Sequence, residues 1–346
     1  MKSLDSKLLK RFDKESDLCL ITGACGFVGS HLVDTLVSQG IPVRATDLPN
    51  ATRKYLPSSK KLEFIPVDLT HPQEVKGLLK GVTKIFHPAG IFRFSAPAKL
   101  LYKVNVEGTT NLLSTALSEN ISHFVNWSTA MVYGTLQYTP ADEKHPIKPE
   151  DPYSESKWVQ EQLALSYFEE NGLPVSILRP TAIYGPRSIY GTANAIIALV
   201  NGKIFGIPGS GKTVQHHVHV NDVIRAAIFM SGTKNTKGEI FNIADDTPIT
   251  IEESFRIVTK LIDKKSRKFH IPKWIVNLYG HLDRVWSKLL GKTSLFEKTS
   301  LKLIFSDHIF DNTKLKSLGF QYIIPSFEVG IEATLRWYKQ QGYIEF

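Results

Sequence analysis

A short apolar run, Leu18 to Ile21, breaks into Thr22-Gly23-Ala24-Cys25-Gly26-Phe27-Val28-Gly29, and a helical stretch, Ser30 to Gln39, follows at once. No other feature of the chain restricts its fold as much. The apolar run reads as a buried parallel strand. Three glycines at a strand–helix junction let the backbone turn tightly, approach an anion closely and pack the helix on the sheet. A phosphate in such a turn lies on the helix N-terminus, where free N–H groups and the helix dipole favour negative charge. The spacing is G-x-x-G-x-x-G rather than G-x-G-x-x-G, yet the strand before it and the helix after it mark the same device.

Further strands follow in the same rhythm. Pro42 to Thr46 ends at Asp47, roughly 20 residues beyond the glycines, where an acid hydrogen-bonds the ribose 2′-OH of a dinucleotide. A carboxylate there repels a 2′-phosphate and favours NAD over NADP, while Arg44 and Arg53 on either side weigh against that preference. Leu62 to Val67 leads into Asp68-Leu69, suited to an adenine edge, and Lys84 to Phe86 runs into His87-Pro88-Ala89-Gly90. His123 to Trp127 delivers Ser128 and Thr129 to its carboxyl end, where ligands sit in open α/β sheets. Strands alternating with helices predict an α/β chain, a doubly wound parallel sheet (Rossmann fold), here with a smaller C-terminal substrate-binding lobe.

Tyr153 and Lys157 then stand four residues apart, on one face of a helix. A phenol with an ordinary pKa near ~10 acts as a base at neutral pH only if a cation stabilises its phenolate. Tyr153 would exchange the substrate proton, Thr129 would hydrogen-bond the substrate oxygen, and Lys157 would depress the tyrosine and hold a ribose.

These residues together resemble the extended short-chain dehydrogenase/reductase superfamily, including its NAD-dependent epimerase/dehydratase and 3β-hydroxysteroid dehydrogenase-like branches. The resemblance covers nearly the whole chain. It runs in order through Thr22 to Gly29, Asp47, Asp68-Leu69, Asn105 in Asn-Val-Glu-Gly-Thr-Thr-Asn, Ser128 to Gly134, Tyr153/Lys157, Leu178-Arg179-Pro180 to Tyr184-Gly185-Pro186, and Val218 to Val223. It implies a Ser/Thr–Tyr–Lys triad, and alignment on Val132-Tyr133-Gly134 selects Thr129 over Ser128. It also implies NAD held by Gly23, Gly26, Phe27, Val28, Gly29, Asp47, Asp68, Leu69, Tyr153, Lys157 and Pro180. The usual H-x-A-A reads His87-Pro88-Ala89-Gly90 here.

With 346 residues and 42% hydrophobic content the chain can bury a large core. The expected division is a cofactor domain over 1–185, bordered by returning segments at 214–230 and 240–246, and a substrate lobe over most of 186–346. Cys19 and Cys25 read as small reduced residues rather than a disulfide pair. Met1 to Asp17 has no apolar h-region and no run reaches the ~20 residues that span a bilayer, so a cytoplasmic enzyme is expected, with contact at a membrane surface left open. A homodimer is also left open; nucleic acid is not an expected partner. In the C-terminal part, Ala193 to Val200 reads as a helix and Val214 to Val220 as a strand. A helix begins at Asn221/Asp222, Ile240 to Ala244 is another strand, and Thr250 to Glu253 is a capping box. Ser326 to Gln341 reads as an amphipathic helix. His216, His217 and His219 do not make a metal set, since only two share a strand face and no Cys or acid joins them; one of them lining the cleft is the better expectation.

Charge is unevenly placed. Residues 263–302 hold ten Lys/Arg against three Asp/Glu, so this stretch carries +7 of the net +9. Trp274, Ile275, Leu278, Tyr279, Leu282, Val285, Trp286 and Leu289 recur there at helical spacing, flanked by Lys273, Arg284, Lys288 and Lys292. Such a helix over 271–290 either packs on the lobe or lies on a membrane surface. For the substrate, Gln215-His216-His217 stands where nucleotide-sugar enzymes often carry Arg-Asp-Phe; Lys212 and Arg187 are the remaining candidates for that anchor. The expected activity is hydride and proton transfer at a secondary alcohol or ketone, on a hydroxysteroid-like lipophile. The alternatives are a nucleotide-sugar epimerase/dehydratase with retained NAD and a non-catalytic cofactor-sensing protein.

Overall fold

The structure is a computed structural model that describes Leu8 and residues 11–204, 206–263, 269–290 and 297–345. Its frame is a seven-stranded sheet in which every pairing is parallel. In chain order the first six strands are β1 (Cys19–Thr22), β2 (Val43–Thr46), β3 (Leu62–Phe64), β4 (Lys84–His87), β5 (His123–Trp127) and β6 (Val175–Pro180). The seventh, Ile240–Ile243, returns from far along the chain to pair with β6, so the spatial order is Ile240–Ile243, β6, β5, β4, β1, β2, β3. Strand order reverses between β1 and β4. That switch point opens a crevice at the carboxyl ends of the strands, where Thr22, Asp47, His87, Thr129 and Pro180 all stand.

Residues on both faces of the inner strands are apolar because helices cover both. On one side Phe27–Ser38 and Val220–Ser231 bury Leu32, Val33, Leu36, Val223 and Ala227 against Ile21, Leu178 and Phe241. On the other, Gly108–Ala116 and Pro152–Asn171 bury Leu112, Leu113 and Ala164 against Leu20, Ile85 and Phe124. A third apolar cluster lies in the C-terminal lobe, where Ile196, Ile257, Phe327, Ile331, Leu335 and Tyr338 surround Tyr184. The expected caps form. Thr250 and Glu253 make a reciprocal capping box, and Ser326 caps the helix Phe327–Gln340.

One expectation needs correction. The stretch Val214 to Val220 is not one strand: Val214–Gln215 and Ile249–Thr250 pair antiparallel, while His217–His219 pairs in parallel with Ala182–Tyr184. The break falls at His216, whose ring joins Asp245 O and the Phe310 N–H at 2.8 and 3.1 Å. The other two histidines of the trio are also held inside the fold. All three are buried, with His217 against Tyr184 and Phe327, and His219 capping the helix Val220–Ser231 through its Nδ1. Of the two arrangements expected for the helix over 271–290, Lys273–Leu289 turns its apolar stripe outward. Trp274, Trp286 and Leu289 are 67%, 65% and 74% exposed, and Leu278 and Leu282 are exposed between them. Val276 and Ser287 are the buried side. The basic residues Lys264, Lys265, Arg267, Lys268 and Lys292 and the Lys288 side chain lie outside the described part, as do Met1 to Lys7.

Candidate active site

The glycine turn is shaped by contact distances rather than by flexibility. A Cβ on Gly29 would lie 2.1 Å from Gly23 O, and one on Gly23, where φ is +58°, would lie 2.9 Å from Ala89 Cα. Neither position has room for a side chain. The helix that follows opens at Gly26 with no side-chain cap, so its N-terminus faces the crevice bare. Asp47 closes the turn from the end of β2: its Oδ2 accepts the Cys25 N–H at 2.9 Å and its Oδ1 the Leu48 N–H at 2.8 Å. Arg44 is committed elsewhere, to Glu63 at 2.8 Å and to the carbonyls of Leu78 and Lys80. Arg53 stacks on Phe64 at 4.0 Å. Four residues beyond the end of β3, Asp68 Oδ1 accepts the Thr70 N–H and the Leu69 carbonyl accepts from Asn111. A cleft with no room for Cβ atoms, an uncapped helix terminus and an acid at the end of β2 fits a dinucleotide.

Tyr153 and Lys157 project from Pro152–Asn171, which begins where Asp151 accepts the N–H groups of Tyr153 and Ser154, both at 3.0 Å. The cap fixes the register that aims both side chains inward, and both are buried. Burial pushes the Tyr153 hydroxyl well above its ordinary range, a hydrogen bond with the Thr129 side chain pulls it back, and Asp151 adds to the rise. Thr129 itself sits at the end of β5 as the cap of a short 3-10 turn, its Oγ1 accepting the Met131 N–H at 3.2 Å. Among the described residues, Ser128 Oγ is buried without a hydrogen-bond partner. The structure therefore brings Thr129, not Ser128, onto Tyr153.

The expected action of Lys157 on the tyrosine is not what these contacts display. Its ammonium donates to Gln160 Oε1 on the same helix, and the groups acting on Tyr153 are Thr129 and Asp151. Burial lowers Lys157 to about 7, with Glu161 working in the opposite direction. Behind it runs a buried polar chain. Gln160 Nε2 donates to Thr109 Oγ1 at 2.8 Å and to Asn126 Oδ1 at 3.2 Å, and Thr109 Oγ1 meets His87 Nε2 at 2.8 Å. His87 Nδ1 in turn meets Thr22 Oγ1 at 2.7 Å, on the last residue of β1. Asn105 ties the same region to the helix Pro152–Asn171, accepting from Ile91 N and donating to Ser156 Oγ at 2.9 Å.

Two further features escaped the sequence reading. Phe92 and Phe94 stand edge-on to the Tyr153 ring, at centroid distances of 5.1 and 5.8 Å, forming an aromatic wall where substrate would meet the phenol. The segment from Glu297 is tied to both banks of that mouth: Glu297 accepts the Ser95 N–H at 3.1 Å and Lys302 pairs with Glu150 at 2.6 Å. The outward-facing helix Lys273–Leu289 packs against this segment.

Residues 19–244 match the model of the NAD dependent epimerase/dehydratase family. Among curated proteins, the chain is similar to N-acetyl-alpha-D-glucosaminyl-diphospho-ditrans,octacis-undecaprenol 4-epimerase of Escherichia coli O157:H7, with 26% identity over 93% of this chain and 95% of that one. It is similar to the bovine (Bos taurus) sterol-4-alpha-carboxylate 3-dehydrogenase, decarboxylating, with 27% identity over 92% and 91% of the two chains. Among solved structures, the dTDP-glucose 4,6-dehydratase of Streptomyces venezuelae with NAD and TYD bound superposes with a TM-score of 0.76 at 26% identity, over 95% of this chain and 99% of that one. The chain belongs to the NAD-dependent epimerase/dehydratase family.

Proposed function

We propose that the protein is an NAD-dependent oxidoreductase acting at a secondary alcohol or ketone of a lipophilic, hydroxysteroid-like substrate. NAD, when bound, supplies the hydride acceptor. Gly23, Gly26, Phe27, Val28 and Gly29 hold its diphosphate, Asp47 its ribose hydroxyls, and Asp68 and Leu69 the adenine edge, with Pro180 and Lys157 bordering the reacting end. Thr129 hydrogen-bonds the substrate oxygen. Tyr153 takes the hydroxyl proton as the carbinol C–H bond breaks, and returns it when the reaction runs toward the alcohol. Lys157, one helical turn on, stabilises the phenolate as it forms.

The observation that carries the substrate class is the aromatic wall of Phe92 and Phe94 against Tyr153. Such a wall suits an apolar ring system, whereas a sugar buried there would leave hydroxyls without partners. The family branch of the bovine relative agrees with that reading. The E. coli relative supports a second one, epimerisation of a sugar on a polyprenyl diphosphate carrier, in which the hydride returns to the same molecule. Both relatives are named for lipids or lipid-linked molecules. A screen of hydroxysteroids with NAD and with NADP, beside an assay of sugar epimerisation, separates the readings. Steady NADH release from a hydroxysteroid, with NAD preferred, is the expected result. Sugar conversion with no net cofactor change would replace it with the second reading, and turnover with NADP equal to NAD would remove the role given to Asp47.

The outward stripe of Lys273–Leu289 adds a place of work to this reading. Trp274, Leu278, Leu282, Trp286 and Leu289 face solvent on a segment that carries most of the chain's excess positive charge, a combination suited to an anionic lipid surface. The helix packs on the segment that spans the Tyr153 mouth, so a lipophilic substrate would enter from the membrane side. Co-sedimentation with anionic vesicles should be strong at low salt and fall steeply with ionic strength, since each surface Lys or Arg contributes about 1 kcal/mol that salt screens. Failure to bind anionic vesicles at low salt would assign the stripe to something other than a membrane.

A further inference from the structure

The bonds of the buried chain behind Lys157 point to one assignment of donors and acceptors. Thr109 spends its single hydroxyl proton on the Asn105 carbonyl, at 2.7 Å. Its oxygen must therefore accept from both Gln160 Nε2 and His87 Nε2. His87 is then the neutral tautomer with its proton on Nε2; its Nδ1 accepts from Thr22, whose oxygen in turn receives the Ala89 N–H at 3.3 Å. Burial, followed by the nearby Lys157 charge, keeps this imidazole neutral by lowering it to about 3. Gln160 has both amide protons engaged, by Thr109 and Asn126, so only its oxygen is left to face Lys157. A flipped amide would set its NH₂ against an ammonium and abandon two bonds. Gln160 is thereby locked as an acceptor by residues from the helix Gly108–Ala116 and from β5, and through Thr109 by β4.

We propose that Gln160 is the positioning residue for Lys157: its locked side-chain oxygen fixes where the ammonium points and helps it keep its proton in a site closed to water. The proposal rests on the reading that Lys157 serves the cofactor and Tyr153. Among the described residues, the titratable groups bearing on Lys157 are Glu161 on its own helix and His87 from β4. His87 is neutral, and Glu161 is engaged by Arg179. The uncharged Gln160 is then the hydrogen-bond acceptor that the structure places on the ammonium itself.

The test compares Gln160→Met, Gln160→Glu, Thr109→Val and Lys157→Met in the full-length protein, by NAD calorimetry and by the pH dependence of kcat/KM on whichever substrate turns over. Gln160→Met should weaken NAD binding or kcat about 10- to 100-fold, the scale of a hydrogen bond to a charged group. It should also move the alkaline limb of the profile to lower pH, because Lys157 then loses its proton sooner. Gln160→Glu should move that limb to higher pH. A residue that merely fills space would scale the profile without moving it. Thr109→Val frees the amide without removing it, and should produce a smaller shift in the same direction as Gln160→Met; it decides the matter if Gln160→Met does not fold. An unmoved limb in Gln160→Met and Gln160→Glu, beside a damaged Lys157→Met, overturns the role of Gln160 alone. An undamaged Lys157→Met overturns the reading of Lys157 on which it rests.

Discussion

Replacing Tyr153 by phenylalanine should lower turnover by about two to four orders of magnitude, the range for a positioned acid–base group, while NAD binding stays nearly intact. The substitution removes one oxygen and little else. The ring keeps its edge contacts with Phe92 and Phe94, and the helix keeps the Asp151 cap, which uses the backbone of residue 153. The structure makes this a stringent test, because burial holds the hydroxyl well above its ordinary range and Thr129 relieves that only in part. A phenol in that state holds its proton until a cation is brought to it. Steady-state kinetics on a verified substrate, beside cofactor calorimetry, checks both halves. Full activity in Tyr153→Phe would show that another group moves the proton.

The second large effect concerns stability. Glu161 lies one turn beyond Lys157 and holds Arg179 of β6 through two hydrogen bonds, one of 3.0 Å from Nε and the other from Nη2. Both side chains are essentially inaccessible, at 1% for Arg179 and 0% for Glu161. Arg179 continues to Tyr133 Oη at 2.8 Å, and Tyr133 donates to Asn242 at 2.7 Å, so the helix Pro152–Asn171, the turn after β5, β6 and the strand Ile240–Ile243 share one network. Removing one charge of a buried pair strands the other, so Glu161→Leu should destabilise the fold by about 3–5 kcal/mol. The double variant Glu161→Leu/Arg179→Met should recover much of that loss, because neither charge of this pair is then left stranded. Thermal or denaturant unfolding of the three proteins measures it. A single variant within about 1 kcal/mol of the parent would mean that water or another group reaches Arg179.

Much of this molecule is legible in its sequence, for identifiable reasons. The strand ends, the glycine turn, Asp47, Tyr153 and Lys157 are local signals: an apolar run, a close backbone approach, a spacing of four on a helix. His123 to Trp127 is recovered to the residue, and the Thr250 capping box forms as the pattern requires. The features that stay hidden depend on partners far apart in the chain. Gln160 is an unremarked helical residue until Thr109 and Asn126 arrive from two other elements. Phe92 and Phe94 lie in a loop with no periodicity, so only the folded chain reveals that they meet Tyr153. The break at His216 is equally invisible, because Asp245 and Phe310 cause it. The stripe on Lys273–Leu289 was readable as amphipathic, but not which way it would face. A helical pattern gives the angular position of its apolar residues and says nothing about what lies opposite.

The last strand of the sheet has a bearing on how the chain is made. All six residues of β6 are buried, and their outer row of N–H and C=O groups is paired by residues 238–243, which follow much later in the chain. During synthesis the first lobe emerges well before that partner does. Through that interval β6 is an open, apolar sheet edge, the kind that recruits strands from neighbouring chains. Nascent chains are therefore most prone to aggregation between the exit of residue 180 and the exit of residue 243. A fragment cut near Gly185 would carry the open edge permanently, and chaperone demand should track the time a ribosome spends on the stretch between.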